Sequence, residues 1–173
     1  MTTQVPWSLS KDANEILPGL WLGNVNASKD DAFIRTNNIN VIFNCTKTLP
    51  FNVNVEHKYR VPIDDNLEKE EIRNLALWAP EVAFKLFRHV RNGDRILVHC
   101  MAGMQRSAAC IAIYLIFAKQ CTPSEAISFI KSKRPIAFHT QANFKESIES
   151  FYVQYENEIL PAIMNKQHTM QSL

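Results

Sequence analysis

The sequence predicts an α/β domain, a central and mainly parallel sheet flanked by helices. Short apolar runs of strand type, Val41-Ile42-Phe43-Asn44 and Arg95-Ile96-Leu97-Val98-His99, alternate with segments of helical period. One of those segments is amphipathic: Ile72, Leu75, Ala76, Ala79, Val82, Ala83, Leu86, Phe87 and Val90 recur at helical spacing. Another, residues 108–118, is apolar all round, which marks a helix buried in the core immediately after a strand.

The elements follow in order. Ile16-Leu17-Pro18-Gly19-Leu20-Trp21-Leu22-Gly23-Asn24 reads as two short strands around a Pro-Gly turn. Residues 27–37 suit one short helix, and 41–44 the next strand. Residues 57–61 are a further strand candidate that ends at Pro62. The long amphipathic helix starts near Glu68, is expected to kink near Pro80, and closes at Asn92-Gly93-Asp94. Residues 95–99 then form a central strand, and the buried helix starts near Ser107. Thr122-Pro123-Ser124-Glu125 opens another helix, with threonine as cap, proline in the first turn and glutamate three positions after the cap. Phe144, Ile148, Phe151, Tyr152, Tyr155 and Ile159 give the apolar stripe of a last helix.

A length of 173 residues suits one domain, with 46% hydrophobic and 21% charged residues supporting an ordinary core. A formal charge of +2 argues against a nucleic-acid-binding surface, which would show a basic excess on one face. Cys45, Cys100, Cys110 and Cys121 form no C-x-x-C pair, so zinc and thioredoxin-type readings are weak and no metal is expected. His57, His89 and His139 lack ligand spacing. No secretory signal, myristoylation glycine or bilayer-length apolar run is present, so the expectation is a reduced, cytoplasmic protein without a membrane anchor.

The chemistry concentrates in His99-Cys100-Met101-Ala102-Gly103-Met104-Gln105-Arg106-Ser107, between a strand and a helix. Ligand sites of open α/β sheets favour the carboxyl end of a strand. A loop wound there turns successive backbone N–H groups inward and forms an anion nest on a helix N-terminus. Gly103 permits the bend, and Arg106, six positions after Cys100, returns over the loop to hold two oxygens. The same field favours a thiolate at Cys100; a fall of about three units from the free value makes it almost wholly ionised at neutral pH. Asp65, with Glu68 three positions on, reads on spacing alone equally well as a cap of the following helix.

His-Cys, five residues, then Arg-Ser resembles the signature loop of the protein tyrosine phosphatase superfamily, and the Ala-Gly after Met101 is similar to its dual-specificity branch. The likeness extends over most of the chain: residues 16–24 resemble the opening strands, 61–67 the acid loop, and 134–144 the closing segment. It implies that family's α/β fold, with an N-terminal segment at 1–14, a catalytic domain at 15–160 and a tail at 161–173. It implies two-step transfer through a phosphocysteine without cofactor or metal, on phosphoprotein substrates. Cys100 would attack phosphorus, and the loop of Met101, Ala102, Gly103, Met104, Gln105 and Arg106 would bind the phosphate. Ser107 would stabilise the thiolate, and His99 would orient the cysteine. Asp65 would be the general acid, with Asp64 as runner-up.

The closing segment departs from the family's Pro-Asn, reading Phe138-His139-Thr140-Gln141-Ala142-Asn143-Phe144. Arg134, at its start, is a weak candidate for substrate contact. Cys45 is either a quiet buried thiol or a partner for a protective disulfide with Cys100. The short chain implies a shallow cleft that admits phosphotyrosine as well as phosphoserine and phosphothreonine. Phosphoinositides and RNA 5′ ends are the alternative substrates, though relatives acting on them carry lysines, or histidine and threonine, where this chain has Met101, Met104, Ala102 and Ser107. A non-catalytic phosphate-binding module is a third reading.

Overall fold

A computed structural model describes residues 10–171. Five strands form one sheet in the order β1-β2-β5-β3-β4, with β1 (Ala13–Leu17), β2 (Leu20–Gly23), β3 (Val41–Asn44), β4 (His57–Arg60) and β5 (Ile96–His99). β1 pairs antiparallel with β2 through the Pro18-Gly19 turn, and every other pairing is parallel. The expected mainly parallel sheet is therefore present. Its central strand, β5, is buried along its whole length because sheet neighbours and helices cover it on every side.

Two short helices, α1 (Val25–Lys29) and α2 (Asp31–Thr36), replace the single helix expected over residues 27–37. Asp30 makes the break. It leaves helical backbone angles (φ −83°, ψ 96°), and its carboxylate accepts from the N–H groups of Ala32 and Phe33, capping α2.

The amphipathic stripe becomes α3 (Lys69–Arg91), which runs unbroken through Pro80. It packs against α4 (Arg106–Lys119), whose residues 107–116 are all buried, as the absence of a polar face requires. α5 (Pro123–Lys133) starts at the expected capping box: Thr122 Oγ1 accepts from Glu125 N, and the Glu125 carboxylate accepts from Thr122 N at 2.8 Å. The last apolar stripe forms α6 (Lys145–Gln154), then a π-helical turn at Tyr155–Ile159, then α7 (Leu160–Gln171). β1 thus starts two residues before the boundary placed at 15, and most of the tail expected at 161–173 is helical. Residues 1–9 of the N-terminal segment lie outside the described residues. Among those described, no helix is long and apolar enough to cross a membrane.

His89 is more than a solvated side chain. His89 Nδ1 lies 2.7 Å from Asp94 and its Nε2 lies 2.9 Å from the Tyr59 hydroxyl, so it ties the end of α3 to β4 and to the turn before β5. Asp94 is held below the usual carboxylate range by its hydrogen bonds to His89 and Asn40.

Candidate active site

β5 ends at His99, and the next six residues turn sharply into α4. Cys100 therefore sits at the carboxyl end of the central strand, directly below the start of the buried helix. The turn depends on Gly103, whose φ of +64° is open to few L side chains. A Cβ there would lie 2.5 Å from the Gly23 carbonyl oxygen and 2.9 Å from the Arg134 guanidinium, so only glycine fits between β2 and the loop.

The direction of the loop's amides follows from where its carbonyls are held. Met101 O accepts from Val25 N (3.1 Å) and Met104 O from Phe138 N (2.8 Å). Between them Arg134 donates to Ala102 O (3.4 Å) and Gly103 O (2.8 Å). In a trans peptide the carbonyl of one residue and the N–H of the next point in opposite senses, and no cis bond is present among the described residues. Four successive carbonyls tied to the scaffold thus turn the N–H groups of Ala102, Gly103, Met104 and Gln105 toward the inside of the loop. The free N–H groups of the first turn of α4 add to them. This is an anion cradle.

Cys100 lies at its base, 2% exposed. Burial alone pushes the thiol up. The Arg106 charge, the Ser107 hydroxyl at 3.2 Å, and the Ser107 and Met104 amides outweigh it, so the net shift is downward from the usual cysteine range. Arg106 donates through Nη1 to Ile63 O at 3.1 Å, tying it to the segment just before Asp64. Its buried Nε has no partner among the described residues and so is a donor suited to an oxyanion. Met101 stands 51% exposed at the rim.

His99 is wholly buried, with Nδ1 3.3 Å from the Cys100 carbonyl. Burial pushes its pKa down to about 4 despite that hydrogen bond, and Arg60 and Arg106 push the same way. The ring is neutral at physiological pH, which suits a structural part and no proton transfer. A folded pKa below the ordinary 6.5 means that the unfolded chain takes the proton first as pH falls. The stability due to His99 is therefore complete above pH 6.5 and falls by about 3 kcal/mol as pH drops to about 4. Urea unfolding at stepped pH is expected to show this slope, and His99→Asn to flatten it; equal slopes would refute the assignment.

Asp65 is exposed and accepts from Asn143 Nδ2 at 2.8 Å. It does not cap α3: Glu68 occupies the cap position without a side-chain bond, and Asn66 Oδ1 accepts from Glu68 N instead. Asp64 points elsewhere, its carboxylate 2.8 Å from Lys47, while its own N–H donates to Glu71. Lys47 also pairs with Glu71, which is only 5% exposed. Burial raises the Glu71 carboxyl, but Lys47 and the Asp64 amide hold it below the usual range. These contacts hold the segment at Asp64 and leave Asp65 exposed.

Arg134 spends four of its five N–H donors on the protein itself. It is fully buried behind the loop, and besides Ala102 and Gly103 it holds Lys11 O and Asn14 Oδ1. Burial pushes its pKa down to about 10, and it still carries its charge at neutral pH. Cys45 follows β3 in register beside Cys100, but its sulfur lies 3.6 Å from that of Cys110. Burial and Cys110 push the Cys45 thiol well up, and all four cysteines are free thiols.

The strand, loop and helix fall within residues 20–154, the stretch that matches the family model described as the dual specificity phosphatase catalytic domain. The chain belongs to that family. Dual specificity protein phosphatase 2 of Mus musculus is 33% identical over 70% of this chain and 37% of its own length. Its Homo sapiens counterpart is 30% identical over 84% of this chain and 44% of its own length. The chain thus spans less than half the length of these curated relatives. Among solved structures, human DUSP28 superposes with a TM-score of 0.74 at 21% identity, covering 86% of this chain and 97% of that one. That likeness supports the dual-specificity phosphatase fold.

Against the dual-specificity phosphatase pattern, the side-chain contacts of several site residues carried little signal, although Gln105 and Arg134 themselves were among the candidates. Asn143, Gln105 and Arg134 act through contacts between residues far apart in sequence. Glu71 was detectable: a carboxylate four positions before Leu75 lies on the apolar stripe of α3, where it needs a partner.

Proposed function

We propose that this domain is a cysteine-dependent protein phosphatase that acts on phosphotyrosine and on phosphoserine or phosphothreonine. What supports this best is the ring of inward amides around a thiol held below its usual range, with Arg106 above it. The family's curated relatives, named dual specificity protein phosphatases, support the substrate class.

In the first step the Cys100 thiolate attacks phosphorus with its sulfur lone pair, and the bond from phosphorus to the leaving oxygen breaks. Asp65 gives its proton to that oxygen. The amides and Arg106 hold the phosphoryl oxygens where charge gathers in the transition state. In the second step Asp65, now a carboxylate, takes a proton from water as the water attacks phosphorus. The P–S bond breaks, phosphate leaves, and the thiolate returns under the Ser107 hydroxyl. No step calls on a metal, and the reaction needs no cofactor.

Turnover of a phosphotyrosine peptide, a phosphothreonine peptide, a phosphoinositide and an RNA 5′ end tests the substrate class. Both peptides are expected to react faster than the lipid and the RNA; the reverse order would overturn the proposal. Asp65→Asn is expected to cost about a hundredfold on the tyrosine peptide and much less on aryl phosphates with acidic leaving groups. An equal loss on both, or none, would remove the acid role from Asp65.

A further inference from the structure

Gln105 lies next to the phosphate clamp, yet its side chain takes no part in the cradle. It is 6% exposed and is wholly used on the closing segment. Nε2 donates to Gln141 O at 2.9 Å and to His139 O at 3.4 Å, and Oε1 accepts from Asn143 N at 2.9 Å. Its own backbone N–H faces the opposite way, into the cradle. One residue thus joins the loop that holds phosphate to the segment that carries Asn143.

That segment makes turns of its own (Ala137 N to Arg134 O, His139 N to Ile136 O) and buries Ala137, Phe138 and Phe144, but its backbone is strained. Phe138 (φ 55°) and Thr140 (φ 63°) both occupy the left-handed region, at about 1–2 kcal/mol each, and threonine is β-branched. Helix geometry does not support it, because it lies between α5 and α6. Its anchors on the phosphate loop are the Arg134 side chain at its start, the Phe138 N to Met104 O bond, and the Gln105 side chain, which reaches the part that carries Asn143.

Asn143 in turn reaches Asp65. Its Nδ2 donates to Asp65 Oδ1, and an amide N–H bonds only an acceptor oxygen. When Asp65 is protonated, that bond favours the proton on Oδ2. It also holds the carboxyl plane in place on an otherwise exposed side chain.

We propose that Gln105 is a positioning residue for the general acid, acting through Asn143 on the orientation and protonated oxygen of Asp65. The inference rests on the reading of Asp65 as the acid. It separates two duties of one loop: its amides bind phosphate, while the Gln105 side chain places the proton donor.

The test is the dependence of kcat/KM on leaving group, over a series of aryl phosphates and a phosphotyrosine peptide, for wild type, Gln105→Met, Asn143→Ala and Asp65→Asn. Methionine keeps the length of glutamine without its hydrogen bonds. Both Gln105→Met and Asn143→Ala are expected to lose about tenfold on the most basic leaving groups and less than about twofold on the most acidic. The pH midpoint for alkylation of Cys100 and inhibition by inorganic phosphate are expected to match wild type, because the cradle is untouched. Adding Gln105→Met to Asp65→Asn is expected to cost nothing further.

A uniform loss across leaving groups in both single variants, or a shifted alkylation midpoint, would make Gln105 a general support of the loop and overturn the proposal. Should Gln105→Met fail to fold, Asn143→Ala on the half-exposed segment carries the same expectation and the same refutation. If Asp65→Asn itself shows no leaving-group dependence, the acid assignment falls and this inference falls with it. If Asp65→Asn shows it while the other two variants match wild type, only this inference falls.

Discussion

Cys100→Ser is expected to lower kcat on a phosphotyrosine peptide by about ten-thousand-fold or more, with KM changed only a few fold. In the proposed reaction phosphate is held by backbone amides and Arg106, none of which the substitution removes. What it removes is a sulfur whose ionised form is favoured by Arg106, Ser107 and the Met104 amide. An alkoxide is much more basic than a thiolate, so the same field leaves serine protonated. Steady-state kinetics together with a binding titration of the peptide separate the two effects. Turnover within about tenfold of wild type would rule out Cys100 as nucleophile.

Arg106→Lys is expected to cost about a thousandfold in kcat/KM, or about 4 kcal/mol, the sum of two charge-assisted hydrogen bonds. Lysine keeps the charge but not the planar fork, so it cannot bond Ile63 O and two phosphate oxygens together. The retained charge has its own consequence. Arg106 is the first influence that lowers the Cys100 thiol against burial, so the alkylation midpoint should move upward less in Arg106→Lys than in Arg106→Ala. Measuring both variants distinguishes the clamp from the charge. Equal midpoints in the two would refute the electrostatic part of the argument, and near-normal kcat/KM in Arg106→Lys would refute the bidentate part.

Legibility of this fold in the sequence depended on how local the signals were. The β5–loop–α4 unit was readable because its strand, glycine, arginine and apolar helix are contiguous. The Thr122-to-Glu125 capping box was readable for the same reason. The break at Asp30 was missed because the apolar pattern of residues 27–37 tolerates either one helix or two, and only the cap geometry distinguishes them. Arg134 was beyond reach. The sequence offered it only as a weak candidate for substrate contact, yet it is buried, and its partners Lys11 and Asn14 lie at the far end of the chain. The stretch 61–67 was singled out by resemblance, but what separates Asp65 from Asp64 is the Lys47 and Glu71 pairing of one and the Asn143 bond of the other. Neither follows from spacing.

Tying four carbonyls of one loop to the scaffold has an energetic consequence. Parallel N–H dipoles that converge repel one another, and in an isolated peptide they would turn apart toward water. Here Val25, Arg134 and Phe138 oppose that repulsion from outside, so the dipoles are aligned during folding and not when substrate arrives. Water around a phosphoryl group must reorient as charge shifts from ground state to transition state, whereas this array has no reorientation left to make. In the proposed reaction, part of the domain's folding free energy is in this way held back as a lower barrier.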